Sequence, residues 1–218
     1  MSCKAVIFDL DGTLLDTLED IGDCMNHALA GMGLATRSRE DYRCFIGGGA
    51  AALACRVLPE SEQSEETISA CLERFRRQYA RRWNRATRPY EGIPEMLDRV
   101  AMAGIKLSVH SNKPHEFAVK CVRNYFGRWQ FVKILGQRDG LPDKPHPAGA
   151  LEIARCAGVL PSEVIYVGDT PVDMKTARAA GMYPVGVQWG FRSRQELKDN
   201  GAGAILGKPA ELLELIGG

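Results

Sequence analysis

Hydrophobic and polar positions along the chain fall into two textures. Near the start, Ala5 to Phe8 is an uncharged, partly β-branched run between Lys4 and Asp9, and it reads as a buried strand. From Asp16 to about Arg88 no further strand-like run occurs. There the spacing predicts helices over Asp16 to Met32, Arg39 to Ile46, Ala50 to Leu58 and Glu62 to Trp83. In the last of these, Ile68, Leu72, Phe75, Tyr79 and Trp83 recur at steps of three and four, which makes one apolar stripe. Gly31, Gly33 and Gly47-Gly48-Gly49 punctuate the helices, and Pro89, Gly92 and Pro94 mark a linker.

Beyond the linker the pattern alternates. "IKLSVHS" (105–111), "FVKIL" (131–135), "VIYVGD" (164–169) and "YPVGV" (183–187) are short β-branched runs, with helical spacing near 114–125, 147–157 and 171–181. Strands alternating with helices predict a parallel sheet covered on both faces. The strand at 4–9 must join that sheet, since alone it has nothing to pair with. The expected fold is therefore a Rossmann-like, doubly wound α/β core from 1–14 and 89–218. An all-α, four-helix cap is inserted at 15–88.

Composition narrows the class only a little. A chain of 218 residues, 45% hydrophobic and 25% charged, suits a core domain with an insert. The net charge of +1 gives no general pull toward nucleic acid or membrane. No stretch approaches the roughly 20 apolar residues of a membrane span, and no signal peptide is read at the start. The seven cysteines are an odd number without a CxxC pair, which speaks against a disulfide framework or a zinc site. A cytoplasmic monomer or homodimer is expected. Arg74, Arg76, Arg77, Arg81, Arg82, Arg85 and Arg88 crowd one helix and its exit, but glutamates precede them and no aromatic platform interleaves. A solvated helix face supplying one arginine to a site is expected there, not a nucleic-acid surface.

Ligands of open parallel sheets bind beyond the carboxyl ends of the strands. The first strand delivers Asp9, with Asp11 and Thr13 behind it. The second ends in His110-Ser111-Asn112, then Lys113. The fourth ends in Gly168-Asp169-Thr170, with Asp173 close by, and "PDKPHP" carries Lys144. At about 5 Å and an effective dielectric near 20, each like-charge pair among four such carboxylates costs about 3 kcal/mol. A cation is needed among them, and an all-oxygen donor set without His or Cys suits Mg2+. Ser111, the amides around Asn112 and Lys144 suit a phosphoryl group. Each residue also has a plainer reading. Asp9 and Asp11-Gly12 could form a surface turn, Asp169 could cap the helix near Pro171, and Lys144 could be a surface lysine.

Together, "DLDGTLLDT", "VHSNKP", "DKPHP" and "VGDTPVDMKTARAAG" resemble, in order, the four motifs of the haloacid dehalogenase-like phosphatases. A helical cap after the first motif is similar to one large branch of that superfamily. The resemblance implies that Asp9 is the nucleophile and Asp11 the general acid, later the base. It implies Mg2+ held by the Asp9 carboxylate, the Asp11 carbonyl and the Asp169 carboxylate, with Asp173 supporting from behind. Thr13, Ser111, Asn112 and Lys144 would contact phosphate. The expected partner is a small phosphorylated metabolite.

Dehalogenases lack an acid where Asp11 stands, and β-phosphoglucomutase-like members carry a histidine where Ile21 stands. "FIGGGAAALACRVL" is similar to the glycine-rich cap loop of phosphoglycolate phosphatases, so Gly47, Gly48 and Gly49 are candidate substrate contacts. Arg43 and Arg56 flank that loop and could meet a substrate carboxylate. Pyrophosphate, nucleoside monophosphates and sugar phosphates stay open as substrates, and "LGQRDGLPDKP" departs from the usual approach to the lysine. A non-enzymatic phospho-receiver is the alternative from another class. It is disfavoured because the middle strand ends in Ser111-Asn112, not in an aspartate. Asp16 is expected to tie the cap hinge, His110 to be a satisfied histidine partly buried, His146 to be structural and His115 to be solvated.

Overall fold

The structure, a computed structural model, describes residues 3–217; positions 1, 2 and 218 of the expected core lie outside the described residues. In chain order the elements are β1 (Ala5–Phe8), β2 (Leu15–Asp16), α1 (Leu18–Ala30), α2 (Arg39–Phe45), α3 (Gly49–Val57), α4 (Glu65–Arg82) and β3 (Arg88–Pro89). They continue as α5 (Ile93–Met102), β4 (Lys106–Pro114), α6 (His115–Phe126), β5 (Phe131–Gln137), α7 (Ala148–Ala157) and β6 (Val164–Gly168). The chain finishes with α8 (Pro171–Ala179), β7 (Tyr183–Val187), α9 (Arg194–Asp199), β8 (Ala204–Leu206) and α10 (Leu212–Ile216).

Six strands form one sheet in the order β5-β4-β1-β6-β7-β8, all parallel. Every residue of β1 and β6 is buried, as expected of strands covered on both faces. Alternate residues of β1 feed opposite cores. Val6 and Phe8 pack with Leu97, Val109, Phe126 and Val185, while Ala5 and Ile7 pack with Leu135, Ile153, Tyr166 and Ala177. Helices α1 to α4 enclose a third core around Met25, Tyr42, Leu53, Phe75 and Tyr79, joined by Phe117 and Phe191 from the sheet side.

β1 lies between β4 and β6, where the strand order reverses. In register, Phe8 faces Val109 on one side and Val167 on the other. The residues that follow Phe8, Val109 and Val167 therefore emerge side by side at one crevice, the switch point of the sheet.

The sequence pattern predicts no strand between 16 and 88, yet β2 and β3 pair antiparallel over two residues at the base of the helical segment. Asp16 sits in that pairing, its carboxylate 3.4 Å from the Arg88 guanidinium. Two-residue strands carry no periodicity, so only tertiary pairing reveals them. Buried Asp20 reinforces the junction: its carboxylate accepts from the amides of Ala86 and Thr87 and from Thr87 Oγ1, at 2.7–3.0 Å. Helix α5 also starts within the expected linker. Pro94 occupies its first turn, where the missing N–H costs nothing. The short α9, β8 and α10 are further elements without a clear sequence pattern.

Phe126 has no exposed surface and anchors the core on one sheet face. Phe126→Ala is expected to lower the unfolding free energy in urea by about 3–5 kcal/mol. Met102→Ala, at a side chain 87% exposed, should change it by less than about 0.5 kcal/mol.

Candidate active site

The crevice is built from the ends of β1, β4 and β6. Leaving β1, the chain turns at Gly12 with φ +87°, a conformation that side chains rarely adopt. A Cβ there would fall 2.3 Å from Asp169 Oδ2, so the turn can pack on the acid cluster only as glycine. Asp9 is held by its own amide, which donates to Val167 O at 2.8 Å. The carboxylates of Asp9, Asp169 and Asp173 come within 4.8 Å of one another, and all three are buried.

Each is partnered differently. Asp169 accepts from Thr13 Oγ1 and from the Phe191 amide, both at 2.9 Å. One oxygen of Asp173 accepts from the amide and hydroxyl of Thr170, at 3.0 and 2.7 Å. Thr170 and Asp173 thus form the capping box of α8, and Asp169 is not the cap. The buried ammonium of Lys144 bridges Asp173 Oδ1 at 2.6 Å and Asp9 Oδ1 at 2.9 Å. Asp9 Oδ1 is buried and has no aligned hydrogen bond despite that proximity.

Nearer the opening, Lys113 pairs with both oxygens of Asp11, at 2.8 and 3.1 Å. The Asn112 amide staples neighbouring loops, donating to Lys144 O and Gly47 O while accepting from the Lys144 amide. Ser111 Oγ accepts from the Lys113 amide at 3.3 Å.

Four carboxylates against two ammonium groups leave this pocket short of positive charge. Burial, reinforced by Asp173 and opposed by Lys144, pushes the Asp9 carboxyl up to about 7. Burial, with Asp9 and Asp173, holds the Asp169 carboxyl well above the usual carboxylate range. Burial would depress the Lys144 ammonium, but Asp173 and Asp9 overcome it and keep it well above the ordinary lysine value. The oxygen-only donor set and a shared negative charge that Lys144 offsets only in part fit a hard divalent cation.

The cleft is lined at its base by Asp9, Asp11, Ser111, Asn112 and Lys113, and on its wall by Gly47 and Gly49. Thr13, Lys144, Asp169 and Asp173 lie buried behind them. Arg43 and Gly48 do not line the cleft. Arg43 instead donates to Gly190 O at 2.7 Å, and Arg56 donates to Phe45 O at 2.6 Å. The sequence pattern assigned no role to Lys113, though it follows directly on Ser111-Asn112. Tyr79 and Phe75 read there only as a core stripe, and Phe117 was not singled out; all three line the cleft.

His110 is buried, with Nδ1 3.1 Å from the Tyr166 hydroxyl; burial, then the Lys144 charge, lowers its pKa to about 3. His115 is half-buried, not solvated, because its Nδ1 accepts from the Gly136 amide at 3.2 Å. His146 is exposed and accepts locally from the Ala148 amide.

Fold and site together define a doubly wound α/β protein whose carboxylates meet at the ends of parallel strands. Residues 6–187 match the haloacid dehalogenase-like hydrolase family, and the chain belongs to it. It is 33% identical over 194 residues to a phosphoglycolate phosphatase of Xylella fastidiosa, covering 88% of this chain and 83% of that protein. It is 31% identical to an N-acetylmuramic acid 6-phosphate phosphatase of Pseudomonas aeruginosa, over 99% and 96% of the two chains. A solved structure from Lactobacillus delbrueckii subsp. bulgaricus, provisionally assigned as a phosphoglycolate phosphatase, superposes with a TM-score of 0.93. That comparison covers 99% of each chain at 30% identity. The chain is a phosphatase, similar to the phosphoglycolate phosphatases. Among the described residues no helix is long and apolar enough to cross a membrane.

The raised Asp9 pKa has a measurable consequence in chelator. Its folded value near 7 lies above the unfolded value near 4, so the native state binds the extra proton between them. Asp9 therefore costs wild type stability as pH rises through that window. Asp9→Asn should gain on wild type from about pH 4 to 7 and then level off, by at most about 4 kcal/mol. A stability difference flat across that range in urea titrations would contradict the assignment.

Proposed function

We propose that the chain is a Mg2+-dependent phosphomonoesterase working through an aspartyl-phosphate on Asp9. The observation that carries this reading is that Asp9, Asp11 and Ser111 line the cleft while the buried Lys144 and Asp169 do not. In this reading residues 15–88 act as a cap over a core made of 1–14 and 89–218.

The Asp9 carboxylate, the Asp11 carbonyl and Asp169, with Asp173 behind, would hold Mg2+; bound there, it supplies positive charge against the phosphoryl oxygens. Lys144 favours the ionised form of Asp9 and orients it, since it already contacts that carboxylate. An Asp9 oxygen attacks phosphorus, the ester P–O bond breaks, and Asp11 gives its proton to the departing alkoxide. Asp11, now a carboxylate, takes a proton from water as that water attacks the aspartyl-phosphate, and the P–O bond to Asp9 breaks. Inorganic phosphate leaves and Asp9 is restored. Ser111 and the amides that follow it orient the phosphoryl oxygens, while Thr13 and Asn112 serve by holding Asp169 and Lys144 in place.

The substrate is a small phosphorylated metabolite. The relatives' names point to phosphate esters of carboxylic acids, phosphoglycolate in one and N-acetylmuramic acid 6-phosphate in the other. 2-Phosphoglycolate is the first choice. The same reading expects a cytoplasmic monomer or homodimer that binds neither nucleic acid nor membrane.

Phosphate release from a panel of phosphomonoesters and pyrophosphate, with Mg2+ and with chelator, tests the reading. Turnover should require the metal, and Asp9→Asn should lower it on the order of 10⁴-fold or more. Retention of a tenth of wild-type turnover would show that Asp9 is not the nucleophile. Asp11→Asn should cost about 10²–10⁴-fold on alkyl phosphates. It should cost clearly less on p-nitrophenyl phosphate, whose leaving group needs no proton; equal losses would remove Asp11 from the acid role.

A further inference from the structure

The wall opposite the nucleophile carries chemistry that the phosphoryl site does not use. It is contributed by α4 and α6, where Phe75, Tyr79 and Phe117 form a continuous aromatic face. The Phe75 and Tyr79 rings stack at 5.3 Å, and Tyr79 meets Phe117 edge-on at 5.1 Å. Ile21 and Leu53 extend this apolar surface. Two polar groups interrupt it. The Tyr79 hydroxyl is buried, on a residue only 3% exposed, and has no aligned hydrogen bond among the described residues, although the Lys113 ammonium lies over its ring at 4.8 Å. Leaving such a hydroxyl unmatched costs about 1–3 kcal/mol, so a ligand acceptor is its natural partner. Arg76, three residues earlier on α4, shares that face of the helix and is the one charged side chain that the helical segment sends to the cleft.

The other cations nearby are already committed. Lys113 is paired with Asp11, and Lys144 bridges Asp9 and Asp173. Arg77, the next residue, is tied to Glu73 at 2.8 Å. Arg76 forms no ion pair among the described residues. A guanidinium with no ion pair, one helical turn from Tyr79 on the same cleft wall, matches a carboxylate attached to a short carbon body. The guanidinium offers paired donors to the two oxygens.

From this juxtaposition we infer that Arg76, with the Tyr79 hydroxyl beside it, recognises a carboxylate on the alcohol half of the substrate. The enzyme thereby selects phosphomonoesters of hydroxy acids over those of neutral alcohols. The inference rests on the phosphomonoesterase reading and assigns to Arg76 the role that the sequence pattern offered to Arg43 and Arg56.

The test uses the full chain with Mg2+ and three esters. These are 2-phosphoglycolate, its neutral counterpart 2-hydroxyethyl phosphate, and p-nitrophenyl phosphate as a reporter of the chemistry. The readout is the ratio of kcat/KM for the first two. In wild type the acid ester should be preferred by about tenfold or more, the worth of one charge-assisted contact. Arg76→Met should erase most of that preference through KM, Arg76→Lys should restore part of it, and Tyr79→Phe should reduce it less. Arg77→Met should leave the ratio unchanged. Hydrolysis of p-nitrophenyl phosphate with no acid preference in wild type, or a ratio unmoved by Arg76→Met, overturns the inference and spares the phosphatase reading. An equal change in Arg77→Met overturns it too, as a general charge effect. Failure of wild type to hydrolyse any ester overturns both.

Discussion

The contact on which the rest of the site depends is the Lys144 ammonium held between Asp9 and Asp173. Three carboxylates packed within 4.8 Å of one another, out of water, repel by several kcal/mol unless positive charge sits among them. The chain provides one buried cation there and leaves Asp9 Oδ1 without an aligned donor. That charge deficit is the chemical property of the pocket on which the proposed cation and phosphoryl site rests. Much of the surrounding structure serves to keep Lys144 in that position. Asn112 clamps the lysine's own amide and carbonyl, and the His110 carbonyl accepts from its ammonium at 3.2 Å.

The helical segment is coupled to this cluster through hydrogen bonds, not merely stacked over it. The Phe191 amide donates to Asp169, and its neighbour Arg192 donates to the carbonyls of Arg43, Cys44 and Ile46 at the end of α2. Those carbonyls are ones a helix terminus leaves unsatisfied, so the arginine both caps α2 and ties it to the loop after β7. In return, Arg43 donates to Gly190 O. Gly190 has no room for a side chain, since a Cβ would lie 2.3 Å from that of Asp169. The Asn112 bond to Gly47 adds a tie at the glycine loop, and Asp20 fixes the far side of the junction. Displacing the helical segment would break the Arg192 and Arg43 bonds to the loop whose Phe191 amide holds Asp169.

Much of the architecture was legible in the sequence because its signals are local. Uncharged, partly β-branched runs at 5–8, 164–168 and 183–187 read as strands covered on both faces, and the apolar stripe of α4 reads as one side of a helix. The strand-end acids were legible for the same reason: Asp9 and Asp169 directly follow runs with no other polar residue. What hid the remaining elements was shortness. β2, β3 and β8 have two or three residues each, too few for any period to show.

The sequence by itself thus determined the class of fold, the order of its motifs and the residue types gathered at the strand ends, since each depends on neighbours a few positions apart. Tertiary structure decided which charges pair. Lys113 is more than a hundred residues from Asp11 in the chain and 2.8 Å from it in space, and no local pattern announces that contact. It also turned the stripe of α4 into a cleft wall and chose Arg76 over its neighbouring arginines to face the opening. Helical spacing says which side chains share a face; only the packing of that face against β4 and α6 says what the face is for.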